Sequence, residues 1–406
     1  MKISTLLKRE PFGEIFEKTL KSFLDYNHNS KYNVKWNLKH SHIVKSNSQQ
    51  LWYCNPYINS IYVSNVNLDV FNSINGEYYY NPLKPWKSFF QRIYLFISQS
   101  KMFRILMSKY IINISPGIHN ACNKLIIGGN NKIRLIDIDK QKVYVILKYG
   151  FEKKYIINER YVRDNFNYIS VPKIIDNGKN DLWFSEEYIS GTPINRLKRD
   201  IKNKVLTDAI SEIHKLLNET KRDLLLSEYI DILNHRIETG ISNLSKEDKN
   251  NTKNIKKIIF KFLNKSKDRR ILLAYTHGDF HMGNIFSNKH KYCIIDWENS
   301  GERHIGYDLF ILLYGSRIDK GYSERFTELF NSKLNSKEKE IVINWPGMNF
   351  SKIDEFRCDL MLFLIEDLIF HINEKNNVSF YNNANNIKIH MKEIKKILNN
   401  IEIDLL

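Results

Sequence analysis

Apolar positions outline the chain before any chemistry is considered. Between Gly13 and Tyr26, the residues Ile15, Leu20, Phe23 and Leu24 recur at helical spacing, and the stretch from Leu51 to Val63 breaks into short strand-like runs. A second helix is expected from Pro85 to Tyr110, where Phe89, Phe90, Ile93, Phe96, Ile97, Phe103, Leu106 and Met107 are apolar. Two apolar runs, Lys124 to Ile127 and Lys132 to Ile136, flank Gly128-Gly129-Asn130-Asn131, residues that tolerate positive φ; this predicts a strand, a tight turn and a strand. A turn over Asp137 to Gln141 leads into the strand Val143 to Lys148. A helix over about Glu152 to Asn165 and strands at Val171 to Ile175 and Leu182 to Ile189 follow. The order is β-β-β-α-β-β. From Gly191 onward helical spacing dominates, interrupted once between about 272 and 298. An α+β chain with three regions results: an aromatic and basic 1–113, a strand-rich 114–191 and a mainly helical 192–406.

Composition adds bounds. With 406 residues, 42% of them hydrophobic and 13% aromatic, the chain can bury a large core in two or three domains. No run of about 18 uncharged apolar residues is present, so no membrane-spanning helix is expected. The opening residues return to charge at Lys8 and Arg9 too soon for a secretory leader. Cys54, Cys122, Cys293 and Cys358 are scattered without a CxxC pair, which fits a reducing, cytoplasmic location. The net charge of +17 attracts anionic partners, but lysines spread over the whole length fit a general Lys- and Asn-rich composition more simply. No nucleic-acid motif accompanies the charge, and no nucleic-acid partner is expected. A strongly cationic substrate would be repelled unless its pocket were locally acidic.

The interruption carries the chemistry. It reads Tyr275-Thr276-His277-Gly278-Asp279-Phe280-His281-Met282-Gly283-Asn284-Ile285-Phe286, then Lys291-Tyr292-Cys293-Ile294-Ile295-Asp296-Trp297-Glu298. If its two short strands pair, Asp279, Asn284 and Asp296 converge. Phosphoryl transfer needs a carboxylate to take the attacking hydroxyl's proton and oxygen ligands to hold Mg²⁺ against nucleotide phosphates. Asp279 is the candidate base, and Asn284 and Asp296 are the candidate metal ligands. A plainer reading, surface turn carboxylates, fits Asp296 poorly because it ends an apolar run.

His-Gly-Asp-x₄-Asn followed by Ile-Asp-Trp-Glu and by Gly306-Tyr307-Asp308-Leu309 resembles the aminoglycoside phosphotransferase/choline kinase family over about 120–315. The resemblance implies a protein-kinase-like bilobal fold, with a small antiparallel β-lobe, a larger mainly helical lobe and here an extra N-terminal region. It implies Mg²⁺ and ATP, or GTP, as cofactor and co-substrate, a small-molecule hydroxyl acceptor, and His277 and Asp308 bracing the catalytic loop. It also implies a strand lysine paired to a helical glutamate: Lys148 with Glu159 is the expected pair, with Glu152 the competing partner. Gly128 and Gly129 are the candidate phosphate-covering turn, although the sequence lacks GxGxxG. Glu187 (carbonyl) and Ile189 (amide) are the expected adenine contacts. Glu298, Tyr307, Asp359 and Glu366 are candidate acceptor contacts; a solvated stripe is the plainer reading of the last two. The apolar and basic segment 85–110 reads either as a peripheral membrane contact or as a helix packed on a neighbouring lobe. A kinase-shaped binding module without turnover is the rival reading, and the presence of Asp279, Asn284, Asp296 and Lys148 together argues against it.

Overall fold

Strand alternation builds the first half of the molecule, and helical burial the second. The computed structural model describes residues 2–39, 49–72, 85–288, 291–314, 321–376 and 385–401. The chain divides into two units, Met1–Val205 with Ile285–Glu298 and Leu206–Asn284 with Asn299–Leu406. This bears out the α+β class.

In the first unit, strands β1 (Asn33–Leu38), β2 (Gln50–Asn55), β3 (Ser60–Val63), β4 (Tyr110–Ser115), β5 (Lys124–Gly128), β6 (Lys132–Asp137), β7 (Lys142–Leu147), β8 (Ile174–Asn177) and β9 (Trp183–Glu187) form one sheet. Its order is β1-β4-β2-β3-β5-β6-β7-β9-β8, and every pairing is antiparallel. The helices of this unit are α1 (Ile3–Arg9), α2 (Phe12–His28), α3 (Pro85–Gln99) and α4 (Lys154–Asn165). On one sheet face α2 buries Phe23 edge-on against Tyr144 and Trp183. On the other, α4 brings Glu159 to Lys132. The boundary expected at 113/114 falls inside β4, because the strands before it continue the same sheet. A separate three-stranded sheet joins β10 (Thr192–Pro193), β13 (Ile285–Ser287) and β14 (Tyr292–Ile294).

The helix expected over Pro85 to Tyr110 stops at Gln99. The Arg104 guanidinium closes its end, donating to Gln99 O at 3.1 Å and Val66 O at 2.6 Å; this satisfies a last-turn carbonyl that the helix leaves open.

The second unit is mainly helical, with α5 (Arg199–Thr220) entering it from the first unit. It contains α6 (Leu226–Gly240), α7 (Lys246–Leu263), α8 (Tyr307–Tyr314), α9 (Tyr322–Phe330), α10 (Ser336–Ile343), α11 (Ile353–Asn376) and α12 (Asn385–Asn400). One small sheet, β11 (Arg222–Leu225), β12 (Arg270–Thr276) and β15 (Gly301–His304), crosses it. The run Phe356 to Leu368 on α11 is buried on all sides except at Arg357, as expected for a helix apolar around its circumference. No described helix is long and apolar enough to cross a membrane.

Candidate active site

A buried charge cluster occupies the α4 side of the large sheet. In the β6–β7 register Lys132 lies opposite Leu147 and Arg134 opposite Val145, so these four residues share one face. Lys148, one step beyond Leu147, belongs to the other face. The expectation that Lys148 pairs with Glu159 is therefore corrected. Lys132 Nζ lies 2.6 Å from Glu159, 2.9 Å from Glu298 and 3.3 Å from Asp296. Burial alone would lower the Lys132 ammonium, but Glu159, Glu298 and Asp296 more than offset it and hold it protonated. Glu159 also receives Arg163 at 2.6 Å. Burial would raise the Glu159 carboxyl, yet Lys132 and Arg163 draw it down to about 2.

Lys148 is wholly enclosed on the α2 side. Its ammonium pairs with Glu10 at 2.5 Å, donates to Gly129 O at 3.2 Å and also reaches Asn130 O. Burial pulls it down to about 8, and the same burial pushes the Glu10 carboxyl up. The turn it grips is tightly covered. A Cβ on Gly128 would come within 2.6 Å of Ile3 on α1, and one on Gly129 within 2.7 Å of Lys132 O.

Asp296 follows β14 with φ at +72°, left-handed backbone that a non-glycine residue rarely adopts. Its Oδ1 accepts from Lys132 and, at 3.1 Å, from Arg134. Burial acts to raise this carboxyl, but the two cations hold it well below its ordinary value. Glu298, buried beside the half-buried Asp296, accepts from Asn131 Nδ2 at 3.1 Å. Burial pushes Glu298 up to about 7 despite Lys132. Among the adenine candidates, Glu187 closes β9 and Ile189 lies two residues beyond in irregular chain.

The second unit holds the loop after β12. Asp308 opens α8, and its carboxylate accepts from the amides of His277 at 2.6 Å and Gly278 at 2.9 Å. Burial raises the Asp308 carboxyl, opposed by His277. Gly278 has φ +82°, and a Cβ there would sit 2.2 Å from Asn299 O; only glycine fits. Asn284 Nδ2 donates to Asp279 O at 3.0 Å and Oδ2 at 3.1 Å, while His277 Nδ1 accepts from the Asp279 amide at 3.2 Å. Asp279 keeps 40% of its side chain exposed. A braced loop thus presents an accessible carboxylate.

The acceptor candidates are placed differently. Asp359 is buried between Arg269 at 3.0 Å and His304 at 3.3 Å. Glu366 accepts from Tyr229 and from the His304 amide at 2.9 Å. Tyr307 is 1% exposed, with Arg303 4.8 Å above its ring. Glu298 belongs to the Lys132 cluster. All four are engaged internally, neither a solvated stripe nor an open pocket wall. Lys132, Arg134 and Arg163 escaped the sequence reading. For Lys132 and Arg134 the signal was two cations two apart in an apolar strand, which period-two alternation puts on one face; Arg163, on α4, carried no such signal.

Residues 256–336 match the model described as the phosphotransferase enzyme family. No curated protein matches the chain. Among solved structures, a choline kinase from Cryptosporidium parvum is 15% identical over 69% of this chain and 88% of its own, with a TM-score of 0.41. Choline kinase LicA from Streptococcus pneumoniae is 15% identical over 70% and 92%, at 0.40. ADP-bound aminoglycoside phosphotransferase APH(2'')-Ib is 14% identical over 67% and 90%, at 0.43. The matched span takes in the braced loop, both strands of the hairpin after it, α8 and α9.

Proposed function

We propose that the chain is a kinase of small molecules that moves the γ-phosphoryl group of ATP, or of GTP, to an alcohol oxygen. The observation that carries the reading is the buried Lys132 ammonium shared by Glu159, Asp296 and Glu298. A cation so held is a fixed point charge for nucleotide phosphates, and Glu159 orients it. Lys132 replaces Lys148 in this role; Glu187 and Ile189 offer backbone groups to the adenine. We assign Gly128 to packing under α1 and Gly129 to the tight turn against the Lys132 backbone.

Asp296 and Asn284 fit Mg²⁺ as oxygen donors. Lys132 and Arg134 both use Asp296 Oδ1, which leaves Oδ2, and the Asn284 amide nitrogen faces Asp279, which turns its oxygen elsewhere. Asn284 directly precedes β13, and Asp296 comes two residues after β14. The ion when bound would neutralise charge on the transferred phosphoryl oxygens. Asp279 takes the proton of the attacking hydroxyl, and His277 and Asp308 hold its loop.

The acceptor we propose is a carbohydrate or glycoconjugate precursor met at the cytoplasmic face of a membrane. On α3 and the turns after it, Trp86, Phe89, Phe90, Phe96, Met102 and Leu106 are each more than half exposed. Lys87, Arg92, Lys101 and Lys109 lie exposed among them, and residues 85–110 contain no acidic side chain; Asp69 borders this patch. Aromatic side chains with a basic rim suit an anionic bilayer surface.

Asp279→Asn tests the central claim. It should retain Mg·ATP binding within about threefold and lose turnover by about 10³ or more, read as ADP release with a panel of sugar and amino-alcohol acceptors. Near-normal turnover would overturn it. A kinase-shaped module without turnover is the second reading, favoured by Arg134, whose guanidinium already neutralises Asp296; nucleotide binding with no ADP release from any acceptor would establish it.

A further inference from the structure

One side-chain cluster in the second unit has no part in the chemistry above. Asp367 and His371 stand one turn apart on α11, and α12 supplies His390. One donor atom from each lies within 4.8 Å of the others. His390 Nε2 is 3.2 Å from Asp367 Oδ2, and His371 Nε2 is 3.8 Å from Asp367 Oδ1. The two imidazoles face each other with centroids 4.0 Å apart. Protonating both at that separation would set like charges together, so the cluster carries at most one imidazolium cheaply.

Two details separate it from an incidental ion pair. His390 Nε2 is fully buried, and its 3.2 Å approach to Asp367 Oδ2 lies outside hydrogen-bond alignment. The donors are also backed. Glu374 lies 3.6 Å from His371 Nδ1, and Tyr322 donates to Asp367 Oδ2 at 2.7 Å. A carboxylate behind Nδ1 selects the tautomer whose Nε2 lone pair is available to a metal.

We propose that Asp367, His371 and His390 bind one divalent transition-metal ion, Zn²⁺ foremost, which ties α11 to α12. Two imidazoles and one carboxylate suit Zn²⁺, Co²⁺ or Ni²⁺ rather than the all-oxygen preference of Mg²⁺ or Ca²⁺. Tetrahedral Zn²⁺ with bonds near 2.0–2.1 Å sets its ligands about 3.4 Å apart. The 3.2 Å separation of His390 Nε2 from Asp367 Oδ2 already fits, and the other donor separations, within 4.8 Å, close with turns of the His371 ring and the carboxylate. Water completes the fourth position.

The test titrates Co²⁺ and Zn²⁺ into the chelator-treated full chain. One Co²⁺ per chain should bind with the visible absorption of a tetrahedral site, and Zn²⁺ should displace it. A hundredfold excess of Zn²⁺ over its Kd should raise the melting temperature by about 5–11 °C. His371→Asn and His390→Asn should each weaken binding at least tenfold while Mg·ATP affinity stays unchanged. No stoichiometric binding overturns the proposal. So does binding that survives both substitutions, an adventitious ion only. Should either variant fail to fold, the stoichiometry and spectrum of the unsubstituted chain decide.

Discussion

Exchanging the two buried lysines for methionine, one at a time, separates their roles. Lys132→Met removes the cation that three carboxylates share. Two of them keep a guanidinium, Glu159 through Arg163 and Asp296 through Arg134, each within about 3.1 Å. Glu298 loses its ion pair but can take up a proton near neutral pH, since its carboxyl is already pushed up to about 7. The stability cost therefore lies near the low end of that for breaking a buried pair, about 3 kcal/mol. For a unit of this size that is a drop of about 6–12 °C in melting temperature. Function should suffer more: Mg·ATP affinity at least about tenfold weaker and turnover down about 10²–10³. Lys148→Met is the mirror image. It strands Glu10 in a fully enclosed place, so it should cost as much stability or more, yet leave Mg·ATP affinity within about threefold at a temperature where the protein is folded. Calorimetry of nucleotide binding beside thermal melts reads both. If Lys148→Met abolished nucleotide binding while Lys132→Met left it intact, the reasoning from strand faces would be wrong.

Glu298 gives a pH signature. Its folded value of about 7 lies above the ordinary 4.5, so its contribution is fully present below pH 4.5 and is lost as pH rises to about 7, a change of about 3 kcal/mol. Glu298→Gln should flatten the fall in stability across that window, and an unchanged slope would show that Glu298 does not titrate there. Gly278→Ala places a Cβ 2.2 Å from Asn299 O on left-handed backbone and should cost about 2 kcal/mol or more, with turnover falling further than nucleotide affinity; wild-type melting and turnover would contradict it. Replacing Phe89, Phe90 and Phe96 by Ser should abolish co-sedimentation with phosphatidylglycerol vesicles without altering melting. Salt-insensitive binding to pure phosphatidylcholine would refute the electrostatic part, and a dimer that the substitutions dissolve would point to a second copy on this face.

Much of the loop around Asp279 was legible because its requirements are local. A left-handed glycine, a buried aspartate taking two amides and an asparagine bonded to Asp279 are all set by residues close in sequence or at a helix start. The β-β-β-α-β-β order was legible for the same reason, since alternation and turn residues act over a few positions. What escaped was which face of a strand a lysine points to. Lys148 follows an apolar strand, as the resemblance leads one to expect, but period two sends it towards α2; Lys132 was hidden by the turn that precedes it. The acidic residues of α11 misled for another reason. Spacing put Asp359 and Glu366 on one face but could not say that Arg269, His304 and Tyr229 would meet them there.

The strand-face assignment also explains why the N-terminal helices belong to the same unit as Lys132. With the proposed phosphate lysine supplied by β6, Lys148 just beyond β7 lies on the opposite face, and a buried ammonium there requires an anion. Glu10, between α1 and α2, provides it. The same two helices cover Gly128 through Ile3 and the Tyr144–Trp183 pair through Phe23. Each contact is on the face away from Glu159, so the N-terminal helices do for that side of the sheet what α4 does for the other. Their burial holds the Gly128–Asn131 turn, and that turn fixes where Lys132 begins its strand. The N-terminal segment thus reaches the proposed phosphate site through one sheet thickness, without a residue of its own entering the chemistry.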